Sequence, residues 1–159
     1  MYLKRFAMNI IKLDGFNVIG ITVRTSNSDG HANIDIPLLW NKFMSENIVE
    51  QIPNKIDNTI YSIYTTYDGD YTKPYTTLLG CRVTSLDNIP SGLVGQTFNA
   101  GIYNKYVAKG NILAGIVIDK WKHIWSLDIN RAYTQDFEVY GVKSQNLEDA
   151  EVDIFIAVK

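Results

Sequence analysis

The feature that most constrains the fold of this chain is a weak internal repeat. Residues 7–85 and 93–158 both show the order strand, helix, strand, strand in their hydrophobic patterning. The matching positions are Gly20-Ile21 with Gly101-Ile102, Trp40 with Trp121, Phe43 with Ile124, and Tyr61-Ser62-Ile63-Tyr64 with Phe137-Glu138-Val139-Tyr140. The offset is 81 residues up to the helix and 76 residues after it. The repeat predicts an α+β domain, in which two strand–helix–strand–strand modules related by a pseudo-twofold axis form a largely antiparallel sheet with two main helices.

Local signals place the individual elements. Asp14-Gly15 is a strong hairpin dipeptide, so strands 7–13 and 16–25 are expected to pair directly. Pro37 suits the first turn of a helix, and a helix is expected to begin close to it. The other predicted elements are strands at 60–67, 75–84, 93–99, 101–107, 136–142 and 151–158, and a second helix near 112–127.

Composition and charge restrict the function. The 159 residues, 46% hydrophobic and 20% charged, are typical of one globular domain spanning 1–159. A net charge of −2 argues against a general nucleic-acid surface. Cys81 is the only cysteine, which excludes an intrachain disulfide, and its strand-like surroundings predict a buried thiol. The N-terminus has the pattern of neither a signal peptide nor a membrane span, so a cytoplasmic protein without a membrane partner is expected.

The strand-like run from Asp136 to Tyr140 contains the strongest functional signal. In an extended backbone, Glu138 and Tyr140 share one face while Phe137 and Val139 share the other. An acid beside an aromatic ring can bind an apolar cation or act as a desolvated general base, and an acid on a wet sheet surface is the third possibility. In the repeat, Glu138 corresponds to neutral Ser62, so the acid lies where the modules differ. Ligand pockets favour the groove between such modules.

These motifs resemble those of the GyrI-like, or bacterial effector-binding, domain family, over roughly residues 8–158. The resemblance depends on Ile36-Pro37 leading into Leu39-Trp40-x-x-Phe43, on Ile60-Tyr61-x-x-Tyr64-x-x-Tyr67, on Tyr75 to Gly80, on Gly101-x-Tyr103, on Trp121-x-x-Ile124-Trp125, and on Arg131-Ala132-Tyr133-x-x-Asp136-Phe137-Glu138-Val139-Tyr140. The family includes the ligand-sensing halves of AraC-type and multidrug-responsive activators, and also stand-alone small-molecule-binding proteins. Its fold has two strand–helix–strand–strand modules around a central ligand cleft, in agreement with the repeat. Because the first predicted strand begins at residue 7, a stand-alone module without a DNA-binding domain is expected.

The resemblance implies a ligand site around Glu138. In members that bind lipophilic cations, an acid at this place lies at the bottom of an aromatic pocket, so Glu138 would bind the charge, with Tyr140 and Phe155 in the wall. Further wall candidates are Tyr64, Tyr67, Trp40 and Trp121. Tyr64 and Tyr67 point to opposite faces of a regular strand, so at most one of them should line the pocket. The two tryptophans also suit the hydrophobic core, because each lies on the inner stripe of a helix.

The expected function is the binding of small lipophilic or cationic aromatic molecules, for effector or drug sensing, without a cofactor. Two alternatives stay open. The resemblance also extends to hydrolases of electrophilic, cyclopropanoid-type molecules, in which Glu138 would be the catalytic base, and to a protein-partner role such as inhibition of DNA gyrase. No metal site is predicted, because His31 and His123 lack ligand spacing and Asp68-Gly69-Asp70 lacks the glutamate that closes a calcium loop.

Overall fold

The structure, a computed structural model, describes residues 10–159. In this part of the chain, eight strands form one sheet, and the fold is α+β with two main helices, as predicted. The strands are β1 (Ile10–Leu13), β2 (Phe16–Thr25), β3 (Ile60–Thr65), β4 (Tyr75–Val83), β5 (Val94–Phe98), β6 (Gly101–Gly110), β7 (Arg131–Tyr140) and β8 (Ala150–Val158), and the α-helices are α1 (His31–Ser45), α2 (Ile48–Gln51) and α3 (Ile116–Ser126). None of the helices within 10–159 is long and apolar enough to cross a membrane.

The strand order has the two-module arrangement that was predicted from the repeat. It runs β1-β6-β8-β7-β3-β4-β2-β5, and every neighbouring pair is antiparallel. Reading outward from the centre gives β3-β4-β2-β5 on one side and β7-β8-β6-β1 on the other. The modules β2-α1-β3-β4 and β6-α3-β7-β8 therefore occupy equivalent places on either side of the central β3–β7 pair.

The outermost strands are exchanged between the modules. β1 precedes β2 in the chain but pairs with β6, while β5 precedes β6 but pairs with β2. The predicted hairpin across Asp14-Gly15 is therefore wrong, and residues 7–9 of its first strand lie outside the described residues. Gly15 is needed for space, since a Cβ there would come within 2.8 Å of the Phe98 carbonyl oxygen. A dipeptide signal reports a local turn preference, and it carries no information about a distant strand that can pair instead.

This exchange requires the sheet to curl. β1 and β2 are six positions apart in the strand order, which would separate them by about 29 Å in a flat sheet. The two-residue link from Leu13 to Phe16 spans only three Cα–Cα steps, or about 11 Å. The link Asn99-Ala100 between β5 and β6 imposes the same limit at the other edge. Both edges must therefore curve towards each other, and the sheet forms a half-barrel.

Helix α1 begins earlier than predicted. It starts at His31, directly after Gly30, whose φ of 72° suits a residue without a Cβ. Pro37 lies inside the helix instead of in its first turn. Because proline has no N–H, the carbonyl of Asn33, four residues earlier, loses its usual helical donor. The hydrophobic spacing upstream of Pro37 was too short to reveal the first turns.

The other predicted elements are present with shifted ends. β3 stops at Thr65, because Thr66 has a left-handed φ of 52°. β7 begins at Arg131, ahead of the predicted start at residue 136, and passes an irregularity between Arg131 and Asp136. α3 follows a single 3-10 turn at Ile112–Ala114. These shifts matter because Thr66 and Arg131 both flank the site.

Hydrophobic side chains pack on both faces of the sheet. On one face, α1 covers β2 and β4 while α3 covers β6 and β8, in two separate clusters. The curl closes the other face around a third cluster: Phe16, Val18, Ile63, Leu78, Phe98, Tyr103, Phe137 and Ala157. Cys81 is buried in the first cluster, as predicted, and burial raises its pKa to about 11. Between α1 and α3, the middle of the helical face is left free for a cavity.

Candidate functional site

A cavity of about 590 Å³ opens between α1 and α3 above the central strands β3 and β7. The strands form its floor, the helices form two sides, and the loop from β3 to β4 closes one end. Its aromatic lining residues are Trp40, Tyr64, Tyr67, Tyr71, Tyr75, Trp121, Trp125 and Tyr140. Lys122, Arg131 and Glu138 also line it, so three charged side chains face a mainly aromatic space.

The pseudo-twofold axis passes through the floor of this cavity. Ser62 and Glu138 are equivalent in the repeat, and they are also direct partners in the antiparallel pair of β3 and β7. Two equivalent residues can be direct partners only where the axis passes between them. Glu138 therefore lies at the junction of the modules, where the repeat suggested that a pocket would form.

Glu138 is buried, with 2% of its surface exposed, and three neutral side chains donate hydrogen bonds to its carboxyl group. The Tyr64 hydroxyl and the Trp121 Nε1–H both donate to Oε2, each at 2.7 Å. The Tyr140 hydroxyl donates to Oε1 at 2.5 Å. Burial raises the pKa of Glu138, and the bonds from Tyr140, Tyr64 and Trp121 oppose that rise. Within residues 10–159, no Lys, Arg or His forms an ion pair with Glu138. Because Glu138 is buried, the possibility that it lies on a solvent-exposed sheet surface is excluded.

Four aromatic residues around Glu138 follow the same pseudo-symmetry, and we call them the aromatic cage: Trp40, Tyr64, Trp121 and Tyr140. Trp40 of the first module contacts Tyr140 of the second edge-on, with ring centroids 4.9 Å apart. Trp121 of the second module contacts Tyr64 of the first in the same manner at 5.5 Å. Trp121 is also buried, so its core position and its place in the cavity wall are compatible.

Tyr64 and Tyr67 both line the cavity, which contradicts the expectation that at most one would. The strand rule applies only while the backbone stays extended. β3 ends at Thr65, and the left-handed conformation of Thr66 turns Tyr67 back towards the cavity side. There the Tyr67 hydroxyl donates to Oδ2 of Asp136 at 2.7 Å.

Phe155 does not line the cavity, so its place in the wall is corrected. The direct partner of Glu138 on β8 is Ile154, and Phe155 pairs with Phe137 instead. Because neighbouring residues of a strand alternate in direction, Phe155 points to the opposite face. Its ring stacks on Phe137 with centroids 4.9 Å apart, in the cluster that the curled sheet encloses.

Arg131 and Asp136 form a buried ion pair that was not predicted from the sequence. Arg131 Nη2 lies 2.7 Å from Asp136 Oδ2, and Asp136 Oδ1 accepts the N–H of Ala157 at 2.9 Å. Burial raises the pKa of Asp136, and Arg131 and Tyr67 oppose that rise. Asp136 precedes Glu138 by two residues and therefore shares its strand face, and this spacing could have identified it as a site residue. The backbone between Arg131 and Asp136 is irregular, so strand alternation could not predict that these two residues pair.

Three further aromatic wall residues, Tyr71, Tyr75 and Trp125, were also missed as site residues. Tyr71 belongs to the loop between β3 and β4, and its ring stacks on Trp125 of α3 with centroids 5.6 Å apart and planes 8° apart. The Tyr75 hydroxyl donates to Asn27 Oδ1 at 2.6 Å. A loop residue such as Tyr71 has no periodicity from which its direction can be predicted.

Among the described residues, Glu138 has no ion-pair partner and accepts hydrogen bonds only from neutral side chains. Burial and the neighbouring Glu138 raise the pKa values of the Tyr64 and Tyr140 hydroxyls well above the ordinary value, so both remain protonated donors near neutral pH. Within the described part of the chain, no three His, Cys, Asp or Glu side chains come together as a metal site.

Comparisons with known proteins agree with this architecture. The family model described as "Cass2: Integron-associated effector binding protein" matches residues 9–158. The chain belongs to this family. Within it, the integron cassette protein VCH_CASS2 from the mobile metagenome of Vibrio cholerae has a solved structure that is 32% identical, covers 95% of each chain, and superposes with a TM-score of 0.72.

Two other proteins extend the comparison of this Cass2-family chain. YobU of Bacillus subtilis (strain 168), named as a candidate transcriptional regulator, is 26% identical over 155 residues, which are 95% of this chain and 97% of YobU. The solved structure of SAV2435 bound to tetraphenylphosphonium is 15% identical, with a TM-score of 0.77 over 94% of this chain and 92% of the other. At that identity, the second likeness shows the shared fold.

Proposed function

We propose that this protein binds lipophilic cations with aromatic surface, and that Glu138 is the counter-charge for the ligand. The observation that carries the proposal is a buried carboxylate that has no cationic partner among residues 10–159, at the floor of a ring-lined cavity. A buried charge of this kind is unfavourable unless it is compensated. Three neutral donors compensate Glu138 in part, and a bound cation would supply the missing positive charge.

The size and walls of the cavity support the same class of ligand. Its volume of about 590 Å³ lies within the range of sites for drug-sized molecules. Each ring that a cation contacts contributes roughly 0.5–2 kcal/mol. Recognition by one charge and several rings places few demands on shape, so several different lipophilic cations should bind. SAV2435, which shares the fold, has been solved with a ligand of this kind, tetraphenylphosphonium.

The geometry favours binding over hydrolysis. Both carboxyl oxygens of Glu138 already accept protein hydrogen bonds, from Tyr64 and Trp121 on one oxygen and from Tyr140 on the other. A general base must present a free lone pair to the proton that it removes. The three donors fill about three of the four acceptor sites of the carboxylate and leave one on Oε1, so most of its lone pairs are held in place, which suits a permanent counter-charge better than a proton acceptor.

The test compares two ions of nearly the same shape, tetraphenylphosphonium and tetraphenylborate, by thermal unfolding and calorimetry. The phosphonium should raise the melting temperature of the native protein by roughly 5–10 °C at a hundredfold excess over its Kd, and the borate should not. In Glu138→Gln, the Kd for the phosphonium should rise on the order of 30-fold, because a buried charge pair is lost. Equal stabilisation of the native protein by both ions would overturn the proposal.

The pH dependence provides a second arm of this test. Burial raises the folded-state pKa of Glu138, so the ligand-free protein should gain stability from this group as the pH falls through that pKa. A phosphonium does not titrate, and its affinity should therefore fall by up to tenfold per pH unit below the same pKa. Both effects should be absent in Glu138→Gln. A phosphonium affinity that is independent of pH down to about pH 4, well inside the range of an ordinary glutamate, would contradict the role of Glu138.

A further inference from the structure

A second polar position in the cavity wall lies at Arg131. Only 8% of Arg131 is exposed, and it lines the same cavity as Glu138. Its Nη2 is paired with Asp136, which also accepts hydrogen bonds from Tyr67 and from the backbone of Ala157. Asp136 thus accepts three hydrogen bonds and balances the charge of Arg131, so this part of the wall is electrically neutral but still polar.

The guanidinium group of Arg131 has donors left over. Within the described residues, its Nε and Nη1 are buried and have no hydrogen-bond partner. The Tyr133 and Tyr71 rings lie 4.4 Å and 5.7 Å from its Cζ. Rings compensate the positive charge, but they do not replace an acceptor for the N–H groups, and an unsatisfied buried donor is costly. Such a group at a ligand cavity requires an explanation.

Tyr71 contributes only its ring to this arrangement. It is half-buried in the loop between β3 and β4, and its ring is held by stacking on Trp125. Its backbone carbonyl accepts a hydrogen bond from Asn27 Nδ2 at 2.9 Å, whereas its hydroxyl makes no hydrogen bond within residues 10–159. The ring can therefore rotate away from Arg131 without breaking a hydrogen bond, while the loop stays anchored.

The geometry points to a second subsite, in which Arg131 donates from Nε and Nη1 to a neutral hydrogen-bond acceptor of the ligand once the Tyr71 ring turns aside. This inference rests on the proposed function, and it narrows the ligand class to lipophilic cations that carry a carbonyl or similar uncharged acceptor. A neutral acceptor is favoured over a carboxylate, because a second anion would lie beside Asp136.

The spacing of the two subsites defines the ligand further. Asp136 and Glu138 are alternate residues on one strand face, which places their Cα atoms about 7 Å apart. Because Arg131 is paired with Asp136, a short alkyl chain is long enough to reach from a cation at Glu138 to the free donors of Arg131. A carbonyl four or five carbons from a phosphonium centre therefore suits both positions.

The experiment uses three matched probes: hexyltriphenylphosphonium, its 5-oxohexyl analogue, and (4-carboxybutyl)triphenylphosphonium. Calorimetry on the native protein should show that the ketone binds at least about threefold more tightly than the hexyl compound. The carboxylate should bind more weakly than the ketone. A wholly apolar wall predicts the reverse order for the ketone and the hexyl compound, because the carbonyl would be desolvated without a partner.

Two variants assign the effect. Arg131→Lys keeps a positive charge opposite Asp136 but removes the planar fork, and it should abolish the advantage of the ketone. Glu138→Gln should weaken both ligands and leave the ratio between them unchanged. If Arg131→Lys does not fold, NMR of the native protein decides instead, since the Arg131 Nε–H signal should shift with the ketone and not with the hexyl compound.

Failure of the proposed function and failure of the Arg131 subsite would give different results. If the native protein binds neither phosphonium, the proposed function is wrong. If it binds both but the ketone no better than the hexyl compound, and the Nε–H signal does not respond, the cation site stands and the Arg131 subsite is wrong. An advantage of the ketone that persists in folded Arg131→Lys would also overturn the subsite.

Discussion

The two modules share an aromatic framework around the cavity and differ in charge at the pseudo-twofold axis. The first module contributes Trp40 and Tyr64 to the cavity, and the second contributes their equivalents Trp121 and Tyr140. At the axis, the first module has Ser62, fully buried, where the second has Glu138. The two modules thus contribute equivalent rings but only one acid at the axis. The proposed site therefore depends on a departure from the pseudo-twofold symmetry, because only one of the two equivalent positions carries a carboxylate.

The location of these positions explains why only one of them is acidic. Ser62 and Glu138 are opposite each other on neighbouring strands, and the Cβ atoms of such pairs lie about 5 Å apart. Two carboxylates at this distance, both out of water, would repel, and one of them would have to be protonated. A symmetric acidic site is therefore unfavourable at this axis.

The largest expected effect comes from restoring the symmetry with Ser62→Glu. A second buried and uncompensated carboxylate should lower the free energy of unfolding by about 3–5 kcal/mol at pH 7, measured by urea denaturation. The loss should shrink at lower pH as one carboxyl takes up a proton. The control is Ser62→Gln, because glutamine has nearly the same size as glutamate and no charge. An equal loss of unfolding free energy in this control would show that the volume of the new side chain, and not its charge, destabilises the protein.

Moving the acid across the axis sharpens the comparison. Glu138→Ser should weaken tetraphenylphosphonium binding by about 2 kcal/mol, on the order of 30-fold. Adding Ser62→Glu to that variant should recover most of the lost affinity, because Tyr64, Tyr140 and Trp40 surround the new acid equivalently. A double variant that binds no better than Glu138→Ser would mean that the modules are not interchangeable in this respect.

The smallest of these effects separates the two tryptophans. Trp121 donates to Glu138 at 2.7 Å, whereas Trp40 contacts Tyr140 only through its ring. A double-mutant cycle of Trp121→Phe with Glu138→Gln should give a coupling of about 1.5 kcal/mol in unfolding free energy. The same cycle with Trp40→Phe should give a value near zero, and equal couplings would contradict the donor role of Trp121.

Much of the architecture was accessible from the sequence, because a repeat constrains many positions at once. The two offsets predicted the paired modules, and they identified Glu138 and Ser62 as equivalent positions. Strand alternation also predicted that Glu138 and Tyr140 share a face, and the hydrogen bond between them requires this. These inferences hold because they depend on regular backbone.

The errors occur where the backbone is irregular or where partners are distant in the chain. Thr66 breaks the alternation that was applied to Tyr67, and the exchanged edge strand overrides the Asp14-Gly15 turn preference. Phe155 was misplaced because the register between β7 and β8, which sets its face, has no local signature. Arg131 could not be matched to Asp136 for the same reason, since the irregular segment between them sets their contact.

The exchange of β1 and β5 makes the halves of this chain mutually dependent for folding. A cut in the connection from β4 to β5 would yield two fragments, each holding the strand that borders the other's sheet and each lacking its own. Neither fragment would enclose the aromatic cluster of the curled face by itself. Fragment complementation, rather than autonomous folding of each copy, is the behaviour that this topology imposes, and a homodimer of single modules would show the same interlocking.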